Sequence, residues 1–94
     1  MAERAFKLGR TVMTNAITRL IEEDELFSKE VMSALKRYQR CDWGDTCEGD
    51  KLRNENALAA DERILSVYDT LRGKIWIITE WDRSYTTILF PNEY

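Results

Sequence analysis

The sequence predicts an α+β fold, in which N-terminal helices pack on one face of a C-terminal antiparallel sheet of three or four strands. Two observations predict this class. The last third of the chain holds three runs of β-branched and aromatic residues separated by short turns, and the middle carries apolar residues at helical spacing. The total of 94 residues fits one domain, which we expect to span residues 1–94.

The predicted strands are Ile64–Tyr68, Lys74–Glu80 and Tyr85–Phe90, and Pro91 ends the last of them. The connections between them are short, and short loops force neighbouring strands to run antiparallel. The second run is almost continuous in β-branched and aromatic residues. We therefore expect it to be the central strand, covered on both faces.

An earlier extended segment, Phe6–Met13, is a candidate fourth strand because it alternates roughly and contains Phe, Val and Thr. Gly9 within it indicates a bulge. Thr14 or Asn15 then provides an N-cap for a first helix, whose apolar residues recur at helical spacing.

Two further helices are predicted in the middle of the chain. Ser28 is a suitable N-cap for the second. Asp45 and Glu48 have the spacing of a capping box for a third helix over Thr46–Ala59. The second helix has an apolar face made of Val31, Met32, Leu35 and Tyr38. We expect the second helix to cover four apolar residues of the sheet, namely Trp76, Ile78, Ile88 and Phe90.

Charge is unevenly distributed along the chain, although the net charge is only −3. Residues 22–62 carry twelve acids and six bases, whereas the rest carries five acids and eight bases. The overall field therefore does not favour nonspecific nucleic-acid binding. The acidic middle instead suits a basic partner.

Histidine is absent from the sequence, so the commonest general base and metal ligand is missing. Cys41 and Cys47 are too few for a disulfide framework or a zinc site. We therefore expect no metal and no cofactor. The chain shows no signal peptide and no apolar run of the roughly 18 residues that a membrane span needs, so we expect a cytoplasmic protein with reduced thiols.

Two turns combine tryptophan with acids. In Asp42–Asp45, the sequence DWGD has two interpretations: a connection between helices with Trp43 as a lid on the core, or an exposed aromatic anchor flanked by carboxylates. Trp81–Ser84 is a hairpin tip in which Asp82 and Ser84 suit the turn and Arg83 would pair with an acid. A tryptophan at such a tip also suggests a partner contact.

Few residues of the sequence suggest nucleic-acid mimicry or catalysis. The acidic run Glu22–Glu25 is a solvated face or, alternatively, a mimic of nucleic-acid phosphates. A histidine-free ribonuclease would have to use Glu80, Arg83 and Tyr85. Paired carboxylates such as Asp42 with Asp45 are what sugar hydrolysis requires, but a domain this small leaves little room for a cleft.

The runs CDWGDTCEGDKLRNENALAADERILSVY (41–68) and KIWIITEWDRSYTTILFPNEY (74–94) resemble a family of small proteins from bacterial mobile elements, often described as plasmid-related. Gly49 departs from that pattern, which tends to have a second acid there. The resemblance implies a setting of plasmids, phages and integrative elements, and it carries no specific reaction. Small acidic proteins in that setting often bind host defence machinery, as anti-CRISPR proteins do, which is an argument by analogy.

The leading hypothesis is a non-enzymatic inhibitor that binds a basic host protein or nucleoprotein complex, with no small-molecule substrate and no membrane. The partner-binding residues of this hypothesis are Asp42, Trp43, Asp45, Glu48, Trp81, Asp82 and Arg83. An alternative is a small nucleic-acid-binding regulator. It would have to gather five cations into one patch, namely Arg4, Lys7, Arg10, Arg72 and Lys74.

Overall fold

A computed structural model describes residues 4–94, so residues 1–3 of the predicted domain lie outside the described part of the chain. The elements follow the order one strand, three helices and three strands. They are β1 (Arg10–Met13), α1 (Asn15–Glu23), α2 (Glu25–Gln39), α3 (Glu48–Ala60), β2 (Ile64–Thr70), β3 (Gly73–Thr79) and β4 (Tyr85–Leu89), followed by a 3₁₀ helix over Pro91–Glu93. The α+β class is confirmed.

The four strands form one sheet in the order β1-β4-β3-β2. The last three strands make the predicted antiparallel meander, with β3 in the centre. The fourth strand is present, but β1 runs parallel to β4, with Arg10 opposite Tyr85 and Met13 opposite Ile88. The sheet is therefore mixed, and the prediction of a purely antiparallel sheet was wrong. The short-loop argument does not apply to β1, because three helices separate it from the meander.

The strand β1 is shorter than the predicted segment Phe6–Met13, since it begins only at Arg10. Gly9 has a φ of +65°, and a Cβ atom there would collide with the carbonyl oxygens of Arg83 and Ser84. Gly9 therefore marks a close backbone crossing at the entry to the strand, where only glycine fits without strain. It does not mark the predicted bulge.

Asp24 is both the C-cap of α1 and the N-cap of α2. Thr14 caps α1 as predicted, with its Oγ1 accepting a 3.4 Å hydrogen bond from the Ile17 N–H. The cap of α2 is Asp24, whose Oδ1 accepts from the Phe27 N–H at 3.1 Å. The prediction of Ser28 as the cap was wrong, because the acidic run itself both ends α1 and begins α2, which leaves Ser28 inside the helix.

The third helix begins at Glu48, and Cys47 at its N-cap makes no side-chain hydrogen bond to it. The predicted capping box was therefore wrong. The Asp45 carboxylate is used elsewhere, since its Oδ2 accepts from the Asp69 N–H on β2 at 2.9 Å.

The core lies between the helices and one face of the sheet. The sheet contributes Ile64, Ser66, Tyr68, Ile75, Ile77, Thr79, Thr86 and Ile88. The helices contribute Ile17, Phe27, Val31, Ala34, Tyr38 and Ala57. Within this core, the Tyr38 hydroxyl lies 2.7 Å from Thr79 Oγ1, which in turn lies 2.7 Å from Thr86 Oγ1. These hydrogen bonds satisfy hydroxyl groups that would be costly to bury unpaired.

The alternation of side chains along the strands shows that part of the predicted core was wrong. Ile88 faces the helices as expected, and Phe90 stacks on Phe27 with ring centroids 6.0 Å apart. Trp76 and Ile78 instead lie on the opposite face, because their partners Val67 and Leu65 alternate with the buried residues of β2. Met32 of the predicted helix face is exposed.

The helices cover only one face of the sheet. On the opposite face of β3, Ile78 is buried and Trp76 is half-buried, so the prediction that β3 is covered on both faces is confirmed for this stretch. The C-terminal end of the chain shields this opposite face in part. The Tyr94 ring meets Trp76 edge-on at 5.4 Å, and the Arg63 guanidinium lies 5.3 Å from the centre of the Tyr94 ring and donates to its hydroxyl.

Candidate functional site

The hairpin tip between β3 and β4 is a rigid turn. Asp82 Oδ1 accepts hydrogen bonds from the N–H of Ser84 at 3.0 Å and from its hydroxyl at 2.6 Å, which is the expected Asx-type turn. These hydrogen bonds lower the pKa of the Asp82 carboxyl below its ordinary value. Arg83 adopts a left-handed φ of +59°, and its N–H donates to the Glu80 carbonyl at 2.9 Å.

The side chain of Arg83 turns inward from this tip. Its Nη1 donates to the carbonyl oxygens of Glu62 at 2.7 Å and Glu80 at 3.0 Å, and its Nη2 donates to the carbonyl of Ala57 at 3.0 Å. The C-terminal end of a helix carries partial negative charge, which suits a guanidinium beside Ala57 of α3. The expected pairing of Arg83 with a carboxylate is replaced by pairing with backbone carbonyls.

The inward turn of Arg83 leaves Trp81 projecting into solvent, with 64% of its surface exposed. Because Arg83 bonds the backbone that follows α3, that backbone lies beside the tip and brings two acids with it. We call the resulting group the tip surface; its members are Asp61, Glu62, Glu80, Trp81 and Asp82. All four acids are at least partly exposed.

Asp61 and Glu62 were missed by the sequence analysis. Ile64 pairs with Thr79 at the end of the β2–β3 ladder, so the residues before Ile64 lie next to those after Thr79. The sequence predicted both strands, but only their register shows which residues before β2 lie beside the tip.

The DWGD turn has a structural role. Asp42 forms an ion pair with Arg37, with Oδ2 2.9 Å from Nε, and Arg37 holds the pKa of Asp42 below its ordinary value. Trp43 is only 5% exposed, and its Nε1 donates to Glu55 at 2.8 Å. Trp43 is therefore the lid on the core, and its interpretation as an exposed anchor was wrong. The packing of its ring against Phe6 and Tyr38 explains the burial.

The residues after Trp43 cover the outer edge of β2. Gly44 forms an isolated parallel bridge with Val67. The Asp45 N–H donates to the Val67 carbonyl at 2.8 Å, and Thr46 Oγ1 accepts from the Val67 N–H at 2.9 Å. This turn lies along the middle of β2, whereas the tip surface lies at its beginning. The structure therefore does not unite the two predicted sets of partner-binding residues.

Glu48 also lies apart from the tip surface. Its side chain is exposed in the first turn of α3 and forms an i,i+3 ion pair with Lys51 at 3.5 Å. Surface pairs of this kind contribute little to stability. Of the predicted partner-binding residues, Trp81 and Asp82 thus belong to the exposed tip surface and Arg83 supports it.

No protein-family model, curated protein or solved structure matches this chain. The geometry of the tip surface is therefore the basis for a functional proposal.

Three of the five cations of the alternative nucleic-acid site are held in ion pairs. Arg4 pairs with Glu55, Arg72 with Asp24, and Lys74 with Asp69, each at 2.7–2.8 Å. Of the three residues named for a histidine-free ribonuclease, Arg83 has its Nη1 and Nη2 groups bonded to backbone carbonyl oxygens.

Potential metal ligands are scattered over the described part of the chain. Between Arg4 and Tyr94 there is no group of three or more histidine, cysteine or carboxylate residues that could hold a metal ion. Cys41 and Cys47 are free thiols, and burial raises the pKa of Cys41. No helix in the same range combines the length and the apolar character needed to cross a membrane.

Proposed function

We propose that this chain is a non-enzymatic protein-binding inhibitor that attaches to a basic surface of its partner through the tip surface. The observation that carries the proposal is Trp81, a large aromatic side chain held 64% exposed on a turn whose backbone is fixed from both sides. Tryptophan is among the residues most enriched at binding hot spots.

The rigidity of the tip favours tight binding. Ordering a loop on association costs free energy, and a loop that is already ordered avoids that cost. Asp82 orders the turn from within, and Arg83 fastens it to the last turn of α3 and to the backbone that follows it. The tip therefore presents Trp81 in a defined position before any partner arrives.

The charge of the tip surface specifies the kind of partner. Asp61, Glu62, Glu80 and Asp82 contribute four carboxylates, and the cation of the turn itself, Arg83, points inward. Complementary charge steers encounter and selects among partners. A basic protein surface or a nucleoprotein complex fits this arrangement.

The resemblance to plasmid-related mobile-element proteins supports a host defence component as the partner, acting in the cytoplasm. CRISPR effectors hold nucleic acid in positively charged channels, which makes them the first candidates by analogy. The acidic part of the contact is assigned to the carboxylates at the tip, because Asp42 and Asp45 are engaged in capping and ion pairing within the fold.

Co-purification with purified CRISPR effector complexes tests this proposal. Trp81→Ala should weaken binding by roughly 2 kcal/mol, or about thirtyfold in Kd. Leu71→Ala is the matched control, because Leu71 is 74% exposed in a different turn and should leave binding unchanged. Equal effects of the two substitutions, or no binding to any complex, would overturn the proposal.

The charge requirement is tested separately. The double variant Asp61→Asn, Glu62→Gln should reduce the association rate and its dependence on salt. The control Glu22→Gln, Glu23→Gln removes the same charge from the exposed end of α1. If both variants lower the salt dependence equally, the carboxylates at the tip have no special role.

A further inference from the structure

The two outer edges of the sheet differ in whether their outward backbone groups have hydrogen-bond partners. On β2, the Asn54 side chain donates to the Leu65 carbonyl at 2.9 Å and accepts from the Leu65 N–H at 3.3 Å. Asp45 and Thr46 satisfy the next residues along the same edge. The backbone N–H groups of this edge that face away from β3 are those of Leu65, Val67 and Asp69, and all three have partners. Capping of this kind prevents another chain from pairing with the edge.

The opposite edge is β1, Arg10–Met13. The Arg10 N–H donates to the Ser84 carbonyl at 3.0 Å, and the Thr14 N–H donates to the Ile88 carbonyl at 3.2 Å. Alternate residues of a strand bond to the same neighbour, so the register places the backbone groups of Thr11 and Met13 on the outer side. Both residues are exposed, and within residues 4–94 no hydrogen-bond partner covers their N–H or carbonyl groups.

We propose that the β1 edge is a strand-addition site that accepts an extended acidic segment of another protein as a fifth strand. Such pairing takes its affinity from backbone hydrogen bonds and its specificity from alternate side chains. The four free backbone groups of Thr11 and Met13 provide the hydrogen bonds. Val12 and Arg10 lie on the open face of the sheet, where they select an apolar and an acidic neighbour, respectively.

The charge of the flanking chain selects the occupant. From Arg4 to Ile21 the sequence carries four basic residues and no acid. Arg4 is paired with Glu55, but Lys7 and Arg10 form no ion pair with any described residue. A second copy of the chain would bring the same basic segments together across the new ladder, and like charges at an edge oppose pairing. An acidic strand avoids this repulsion and neutralises both cations.

Amide hydrogen exchange with a synthetic peptide tests the proposal. A short peptide alternating glutamate and valine should slow exchange at Thr11 and Met13 roughly tenfold when about nine-tenths of the chain is occupied. The amides of β2 should not respond, because they are already capped. A lysine–valine peptide of the same length is the matched control and should give no protection. Equal protection by both peptides, or by neither, would overturn the proposal.

Three variants test whether the peptide binds at the β1 edge. Thr11→Pro removes one outward N–H while sparing the bonds to β4, and it should weaken peptide binding about fivefold, whereas Thr11→Val should not. Should the proline variant fail to fold, Arg10→Glu provides the second test, with a loss of roughly fivefold expected from charge reversal. Retained affinity in the variant used would contradict the proposal.

Two further results distinguish strand addition at β1 from binding at the tip surface and from self-association. Trp81→Ala should leave protection of Thr11 and Met13 unchanged, so a failure of the tip surface as a binding site would not affect it. If the chain alone forms dimers in sedimentation and protects the same two amides, the occupant is a second copy and the acidic-segment proposal is wrong.

Discussion

Nη1 of Arg83 lies 2.7 Å from the carbonyl oxygen of Glu62, a residue 21 positions away in sequence. This contact fastens the tip of the β3–β4 hairpin to the segment that leads from α3 into β2. Trp81 can stay exposed on a rigid turn because the side chain two residues later is bonded to backbone carbonyls of neighbouring segments. The candidate function and the local fold therefore depend on the same guanidinium.

Replacing Arg83 should lower the stability of the whole domain. In Arg83→Asn the left-handed φ of +59° is tolerated, but the bonds to Ala57 and Glu62 are lost. We expect a loss of about 2 kcal/mol in the free energy of unfolding, measured by urea denaturation. Arg53→Ala, on the exposed side of α3, is the control and should change stability by less than about 0.5 kcal/mol. Similar values for both would contradict the anchoring role.

Substitution by alanine should have opposite effects on stability at two of the glycines. Gly44 has a φ of +63°, and a Cβ atom there would collide with the Tyr68 ring and lie 2.8 Å from the Val67 carbonyl oxygen. Gly44→Ala should cost at least about 2 kcal/mol. Gly49 has open space around it in the first turn of α3, so Gly49→Ala should be neutral or stabilising by up to about 1 kcal/mol. Thermal unfolding of both variants checks the sign.

The capped edge of β2 should depend on Asn54. Asn54→Ala removes the bonds to Leu65 and to the Ser66 hydroxyl, so we expect a loss of about 2 kcal/mol and concentration-dependent self-association in sedimentation velocity. The control is Asn56→Ala, on the exposed side of the same helix. A monomeric Asn54 variant of full stability would show that the cap is dispensable.

Alkaline pH should destabilise the fold. Burial raises the pKa of Tyr38 and of Tyr68 above the ordinary tyrosine value of about 10. Below that pH both the folded and unfolded states keep these protons. Above it, the unfolded chain releases them first, so the free energy of unfolding falls as pH rises, by up to about 1.4 kcal/mol per pH unit for each tyrosine.

Urea denaturation at several alkaline pH values measures this fall. Tyr38→Phe and Tyr68→Phe should each make the fall shallower, because each removes one of the two responsible protons. A fall of the same steepness in both variants would assign the effect to other groups.

The meander was predictable because its three strands are rich in β-branched and aromatic residues and are joined by short turns. The orientation of β1 was not, since only the full course of the chain decides which edge an isolated strand joins. The core face was also ambiguous: Ile75, Trp76, Ile77 and Ile78 are all apolar, so alternation in the sequence gave no face. The register of β3 against β2 resolves it, because Ile75 and Ile77 pair with the buried residues Tyr68 and Ser66.

The candidate site was predicted only in part. Trp81 and Asp82 were identified from their place in a hairpin tip. Asp61 and Glu62 required the register of β2 against β3, which no local pattern contains. Trp43 was ambiguous because an aromatic beside two acids fits either a core lid or a contact. The pairing of its indole N–H with Glu55, twelve residues away, decides for the core.

Site-specific photocrosslinking from position 81 tests the central claim most directly. A photoreactive phenylalanine derivative in place of Trp81 should crosslink to a CRISPR effector complex that co-purifies with the chain, and the same group in place of Leu71 should not. A crosslink from position 71 but not from position 81, in a complex that still forms, would contradict the assignment of the tip surface as the binding site.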